Sequence, residues 1–308
     1  MKISQLVSVV IVTKDRQDSL SAALSSLAQQ SVLPAEVIVI DDGSNPKVQE
    51  SCLKVIPEEI HARLYRNEKS QGASFSRNRA IKLATKEFIA FLDDDDLFRP
   101  RKIQVLDHWI REVPKIDLFC HRANVVMVRE GLNYLTRFRK KTDDEFKELL
   151  ISNWVGGASL VVCRKLLLEK IGLFDVNLPA CEDWDLWIRC AKFGAKIQFL
   201  DEVLVDYSCV TKKTSLSHSI EKNRLAKDLI KKKYRTEILK LSETEILRLN
   251  ESSKLDDLQR FLVNYNYKAS VSCAFDIFIS NKKISNLLRL VAVILGTKIS
   301  IKLRSLLS

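Results

Sequence analysis

Residues 88–100 read FIAFLDDDDLFRP. Phe88 to Leu92 form a short apolar run of aromatic, β-branched and small residues, the composition of a buried strand. Four carboxylates follow without a break: Asp93, Asp94, Asp95 and Asp96. If the apolar half is a strand, the acidic half stands at its C-terminal end, where open α/β sheets hold their ligands. Adjacent carboxylates repel one another. A hard divalent cation relieves that repulsion, and Mg²⁺ or Mn²⁺ takes one or two carboxylates together with phosphate oxygens and water. Taken alone, four aspartates also suit a solvated acidic turn, so their surroundings decide.

Upstream, strand and helix patterns alternate. Residues 7–12, VSVVIV, read as a first buried strand, followed by Thr13-Lys14-Asp15-Arg16. Leu20, Ala23, Leu24, Leu27 and Ala28 then recur at helical spacing. EVIVI at 36–40 is a second strand, running into the turn-forming cluster Asp41-Asp42-Gly43-Ser44-Asn45-Pro46. A third strand is expected near 62–66 and a helix over 74–84. The alternation predicts an α/β fold with a mostly parallel sheet and helices on both faces. It also puts the loops after Val12, Ile40 and Leu92 on one rim, and each of the three carries Asp. Beyond the acidic stretch, helices are expected near 102–113, 145–152, 165–175 and 182–193, with strands at 117–128 and 160–162.

The composition is that of a globular protein, with 46% hydrophobic and 29% charged residues in 308. Seven scattered cysteines include no C-x-x-C pair, which argues against a disulfide framework or zinc site and fits a reducing compartment. The N-terminus runs straight into a strand-like segment and reads as structure rather than as a signal peptide. The net charge of +11 is unevenly placed. Residues 1–209 are balanced, and 210–308 hold the whole excess, which predicts a boundary near residue 210.

Four stretches together resemble family-two glycosyltransferases, which have the GT-A fold: VSVVIVTKDR (7–16), EVIVIDDGS (36–44), GASFSRNRAIKLATKEFIAFLDDDDLFRP (72–100) and GLFDVNLPACEDWDLWIR (172–189). The resemblance covers roughly residues 5–210. It implies an inverting, metal-dependent transfer of a hexosyl or N-acetylhexosaminyl group from a nucleoside diphosphate donor, with UDP-sugar favoured. Val12, Thr13 and Asp15 would flank the base, although Lys14 stands where the family usually has an aromatic residue. Asp42, with Asp41 beside it, would accept from the base ring, and Arg77 would serve the diphosphate or ribose. The family's D-x-D aligns as Asp93-Asp94-Asp95. Asp95 would hold Mn²⁺ or Mg²⁺, with Asp93 near it, and Asp93 or Asp94 would take the ribose hydroxyls. Asp183 is the expected general base, with Glu182 the other member of its acidic pair; Asp183 equally suits a helix cap. His218, in KKTSLSHS, could reach the diphosphate or metal from a closing loop.

Residues 211–308 read as a basic helical appendage with amphipathic periodicity over 219–235, 243–264 and 284–307. Three roles fit it: a solvated or oligomerising arm, attachment to an anionic membrane surface, and, least well, nucleic-acid binding, for which no module is present. The acceptor implied by the resemblance is a glycan or lipid-linked glycan at a bacterial surface, the chain being cytoplasmic or peripheral at the inner face of the membrane. Transfer to a polyprenyl phosphate and a non-catalytic nucleotide-sugar scaffold are the alternatives.

Overall fold

The computed structural model describes residues 2–136, 142–209, 219–296 and 299–300. Strand β1 (Ile3–Thr13), helix α1 (Gln17–Ala28), β2 (Leu33–Asp41), β3 (His61–Arg66), α2 (Ala73–Leu83) and β4 (Phe88–Asp93) make the first half. Its strands lie in the order β3-β2-β1-β4, and every neighbouring pair is parallel. In register, Thr13 faces Asp41 and Val12 faces Asp93. The three acidic loops therefore leave one rim together, as the alternation predicts.

The alternating side chains of β1 explain why both sheet faces are covered. Val7, Val9 and Ile11 point to a core shared with Leu20, Leu24 and Leu27 of α1, while Val10 joins the core on the opposite face with Ala80 and Ile81 of α2. Because a parallel sheet is buried on both faces, its strands are almost wholly apolar.

The second half is mixed. It comprises β5 (Leu97–Phe98), α3 (Lys102–Glu112), β6 (Leu118–Met127), β7 (Leu132–Leu135), α4 (Glu145–Ile151), β8 (Val161–Arg164), α5 (Lys165–Lys170), α6 (Glu182–Lys192) and β9 (Ile197–Cys209). The sheet continues β4-β8-β6-β9-β5, with β7 on the outer part of β6. Strand β8 runs antiparallel to both β4 and β6, whereas β6 and β9 are parallel. The long strand β9 has no counterpart in the sequence reading.

The remaining helices are α7 (Ile220–Lys233), α8 (Arg235–Ile238), α9 (Glu243–Val263), α10 (Tyr267–Ser280) and α11 (Ile284–Ile294). Packing crosses the charge boundary near residue 210. Ile230 and Tyr234 belong to the same buried cluster as Phe91, Leu186 and Trp187. The Tyr234 hydroxyl donates to Asp185 Oδ1 at 3.1 Å. Asp185 is fully buried and also pairs with Arg189 and Lys233, each at 2.8 Å. Arg248 of α9 grips Glu148 of α4 through two bonds, at 2.9 and 2.6 Å. Helix α9 starts on a reciprocal capping box between Ser242 and Glu245. Only α9, α10 and α11 share a separate small core, around Leu258, Ala274, Ile277, Leu290 and Val293.

Ile230→Ala should therefore cost about 2–5 kcal/mol in denaturant unfolding, the range for emptying a core site. A loss below about 0.5 kcal/mol, as for surface positions, would mean that α7 is merely appended.

Candidate active site

The rim of β1, β2 and β4 opens onto a cavity of about 900 Å³. Thr13, Asp42, Asp93, Asp94 and Asp95 line one end, and Glu182 and Asp183 line another part of the wall. The fold therefore brings together most of the carboxylates that the sequence singles out, although they are up to 141 positions apart.

Arg77 joins the two ends. Its Nη2 lies 2.7 Å from Asp93 Oδ1 and its Nη1 lies 2.8 Å from Glu182 Oε1. The guanidinium also rests on the Phe174 ring, 5.5 Å from its centre. Burial opposes the charge, but the two carboxylates more than compensate and raise its proton affinity. Arg77 lines the cavity, and its two terminal nitrogens are taken up by these carboxylates.

Arg16, which the sequence reading passes over, is the second counter-ion. Its Nη1 reaches Asp94 Oδ1 at 3.0 Å and Asp95 Oδ2 at 2.9 Å. Thr13 Oγ1 donates to Asp94 Oδ2 at 2.7 Å. Even so, burial pushes Asp94 up to about 6, with the charges of Asp95 and Asp93 adding to the rise. Asp95 is raised as well, first by burial and then by Asp93. Its side chain is the most open of the three. Asp96 turns the other way and is buried, accepting from the Ser208 backbone N–H at 2.9 Å.

The acidic pair after β2 has a different job. Asp42 accepts five hydrogen bonds, from Asn67, Ser70, Ser76 and the backbone of Gln71 and Gly72, at 2.7–2.9 Å. Burial would raise its pKa, but these donors hold it below the usual carboxylate range. Its neighbour Gly43 has φ 77°, and a Cβ there would meet Ser70 N at 2.8 Å, so only glycine lets the two loops close. Asp41 caps the turn through Ser44 N at 2.8 Å and Val48 N at 3.2 Å and pairs with Arg66. Asp15, in a left-handed conformation, accepts from Asn45 N at 2.7 Å. Asp41 and Asp15 stand outside the cavity lining, and Asp42 borders the cavity. Val12 and Thr13 line the cavity as expected, with the Thr13 hydroxyl given to Asp94.

Asp183 has the environment of a base. Cys181 turns the chain with a left-handed backbone, φ 56°, and α6 starts immediately after it. Asp183 Oδ1 accepts from the adjacent Trp184 N–H at 2.6 Å. Its other oxygen faces Gly157, where a Cβ would stand 3.8 Å away. Burial, and next the charge of Glu182, push Asp183 up to about 7. Glu182 is held by Arg77, so the pair divides its roles: one carboxylate is neutralised and the other left available.

The far wall comes from the basic C-terminal region. Asn223, Lys227 and Lys231 of α7 and Ser253, Asp256 and Arg260 of α9 line the same cavity. Lys227 pairs with Asp256 at 2.5 Å and Asp257 at 3.0 Å. The sequence reading missed these residues, because charge imbalance reports composition and not packing. The apolar spacing of Ala226, Ile230 and Tyr234 was the available signal. His218 lies outside the described residues.

With this geometry in place, the family can be stated. The chain belongs to glycosyl transferase family 2, whose model matches residues 8–172, and it has the GT-A fold. An uncharacterized glycosyltransferase of Haemophilus influenzae is 28% identical over 302 residues, spanning 98% of this chain and 99% of that one. The Escherichia coli protein named UDP-Glc:alpha-D-GlcNAc-diphosphoundecaprenol beta-1,3-glucosyltransferase WfgD is 27% identical over 187 residues, 61% of this chain and 70% of that one. Among solved structures, S. aureus TarS 1-349 in complex with UDP-GlcNAc matches with a TM-score of 0.55 at 18% identity, covering 89% of this chain and 81% of that chain.

Arg77→Met should destabilise the protein by on the order of 3 kcal/mol, because it leaves Asp93 and Glu182 without their shared counter-ion. Chemical denaturation reads this directly; a variant as stable as the parent would show that the bracket is dispensable.

Proposed function

We propose that this glycosyltransferase moves a sugar, with inversion, from a nucleoside diphosphate donor, UDP-sugar in particular, to a hydroxyl of a lipid-linked glycan. The observation that carries the reading is one cavity that holds the carboxylate rim, Asp93 of which Arg77 ties to Glu182, and beside Glu182 a second carboxylate, Asp183, pushed up to about 7. The E. coli relative supports the donor and acceptor classes, since its name specifies UDP-Glc and a diphosphoundecaprenol-linked sugar. Such an acceptor places the work at the inner face of the membrane, with the chain attached peripherally.

The base and diphosphate would bind against Val12, Thr13 and the loop braced by Asp42. Asp93 and Asp94 are the carboxylates available to the ribose, and Asp95 with Asp93 would hold Mn²⁺ or Mg²⁺. These are hard oxygen donors of the kind such a cation takes, and two of the three are raised, first by burial and then by their neighbours' charge. Among the described residues no group of three or more His, Cys, Asp or Glu is placed to hold a metal ion, so the ion would need the donor phosphates and water for most of its coordination. When bound, the ion would supply Lewis-acid neutralisation of the departing diphosphate.

Asp183 takes the proton from the acceptor hydroxyl as its oxygen attacks the anomeric carbon. The new C–O bond forms on the face opposite the diphosphate, whose bond to carbon breaks with its electron pair. A single displacement of this kind inverts the configuration. A group tuned to about 7 suits a neutral hydroxyl, which must lose a proton. A phosphate acceptor is already ionised and would need no such base.

Asp183→Asn should lower transfer by about a hundredfold or more while leaving donor binding intact. In the parent enzyme kcat/KM should fall as pH drops through about 7, because Asp183 becomes protonated. Near-parental turnover by Asp183→Asn, or a product retaining the donor's anomeric configuration, would overturn the assignment.

A further inference from the structure

Helix α11 is apolar on two sides, and the chain uses only one. Leu290 and Val293 pack into the small core with Leu258, Ala274 and Ile277. Ile284, Leu287, Leu288, Val291, Ile294 and the capping Leu295 recur at i, i+3, i+4, i+7, i+10 and i+11, and all are 43% to 77% exposed. Phe275 and Ile279, one turn apart on α10, add to the exposed apolar surface at 52% and 53%. Scattered surface leucines need no explanation, but a continuous apolar helix side rimmed by polar residues marks an interaction site.

The charge around this side selects the partner. Residues 282–308 contain Lys282, Lys283, Arg289, Lys298, Lys302 and Arg304 and no Asp or Glu. Docking α11 on α11 of a second copy would set two cationic segments against each other, and Glu251 of α9, the carboxylate that reaches this segment, is already taken up by Lys283 at 3.7 Å and by Asn281 and Asn286. An anionic lipid surface answers both features, since its acyl boundary takes the leucines and its phosphates take the cations. Among the described residues no helix is long and apolar enough to cross a membrane. A helix of 11 residues lying in the plane of the interface has no need to be.

We propose that the exposed side of α11, with Phe275 and Ile279 of α10, is the face by which this protein lies on an anionic membrane. This deepens the peripheral placement proposed above, yet it rests on the surface of α10 and α11 and not on the chemistry of the cavity. It also gives the C-terminal helices a continuous task. Helix α9 lines the cavity as far as Val263, and α10, which begins at Tyr267, passes the chain to the membrane face.

The test is co-sedimentation of the full chain with vesicles of phosphatidylethanolamine and phosphatidylglycerol, and separately with phosphatidylcholine alone. The parent protein should sediment with the anionic vesicles and be released by high salt. Leu288→Glu/Val291→Glu should abolish sedimentation. Lys282→Gln/Lys283→Gln, which alters no core residue, should weaken it by roughly thirtyfold. Melting temperatures and UDP-induced stabilisation establish that each variant is folded, so loss of the membrane face is separable from failure of the donor site. Absence of binding to anionic vesicles would overturn the proposal. So would binding that both variant pairs leave unchanged, or a dimer in light scattering that Leu288→Glu/Val291→Glu splits into monomers.

Discussion

Electrostatic repulsion is the constraint around which this site is built. The parallel register of β1, β2 and β4 delivers several carboxylates to one rim, and α6 brings two more within reach of it. Arg77 and Arg16 keep that arrangement folded, each shared between two carboxylates. Near them lies a buried lysine whose proton affinity burial lowers well below the usual lysine range. Lys102 is wholly buried, donates to the Ser159 carbonyl at 2.7 Å and sits 3.7 Å above the centre of the Phe98 ring. Ser159 in turn accepts from the Asp93 backbone N–H at 2.9 Å, which ties the floor of the site to the end of β4. Asp94, Asp95 and Asp183 nevertheless remain raised, first by burial and then by the charge of neighbouring carboxylates.

The C-terminal region changes meaning once its contacts are known. By composition it is a basic appendage, but α7 shares the main core through Ile230 and Tyr234, and α9 supplies cavity wall. Fully buried Asp185 connects α6, the helix that presents the proposed base, to Tyr234 and Lys233 at the end of α7. The placement of α6 and the closure of the cavity therefore depend on the same packing.

Much of this was legible in the sequence. Strands β1, β2 and β4 are dense runs of β-branched and aromatic residues ending in Asp, and their alternation with helices dictates both the parallel sheet and the common rim. Helices α3, α4 and α6 were also legible, because their apolar spacing and neighbouring small or polar residues are local signals. Strand β9 was not, since IQFLDEVLVDYSC mixes charged and apolar residues along a strand only partly buried. The uses of Arg77, Asp42 and Tyr234 were hidden for a different reason. Arg77 meets Glu182 across 105 positions, and Tyr234 meets Asp185 across 49, so neither contact leaves a trace in a short window. Residue type alone told that Asp42 mattered, but not that its five partners would all be protein.

In the proposed donor complex a divalent cation held by Asp95 and Asp93 binds together with the nucleoside diphosphate. The most direct measurement is the melting temperature of the parent protein with UDP alone, Mn²⁺ alone, both together, and both with EDTA. Ligand bound to the native state raises the midpoint by an amount set by its concentration over Kd. The account predicts stabilisation by the pair well beyond the sum of the two separate effects, abolished by EDTA. An equal shift from UDP with and without metal, or none from the pair, would contradict it.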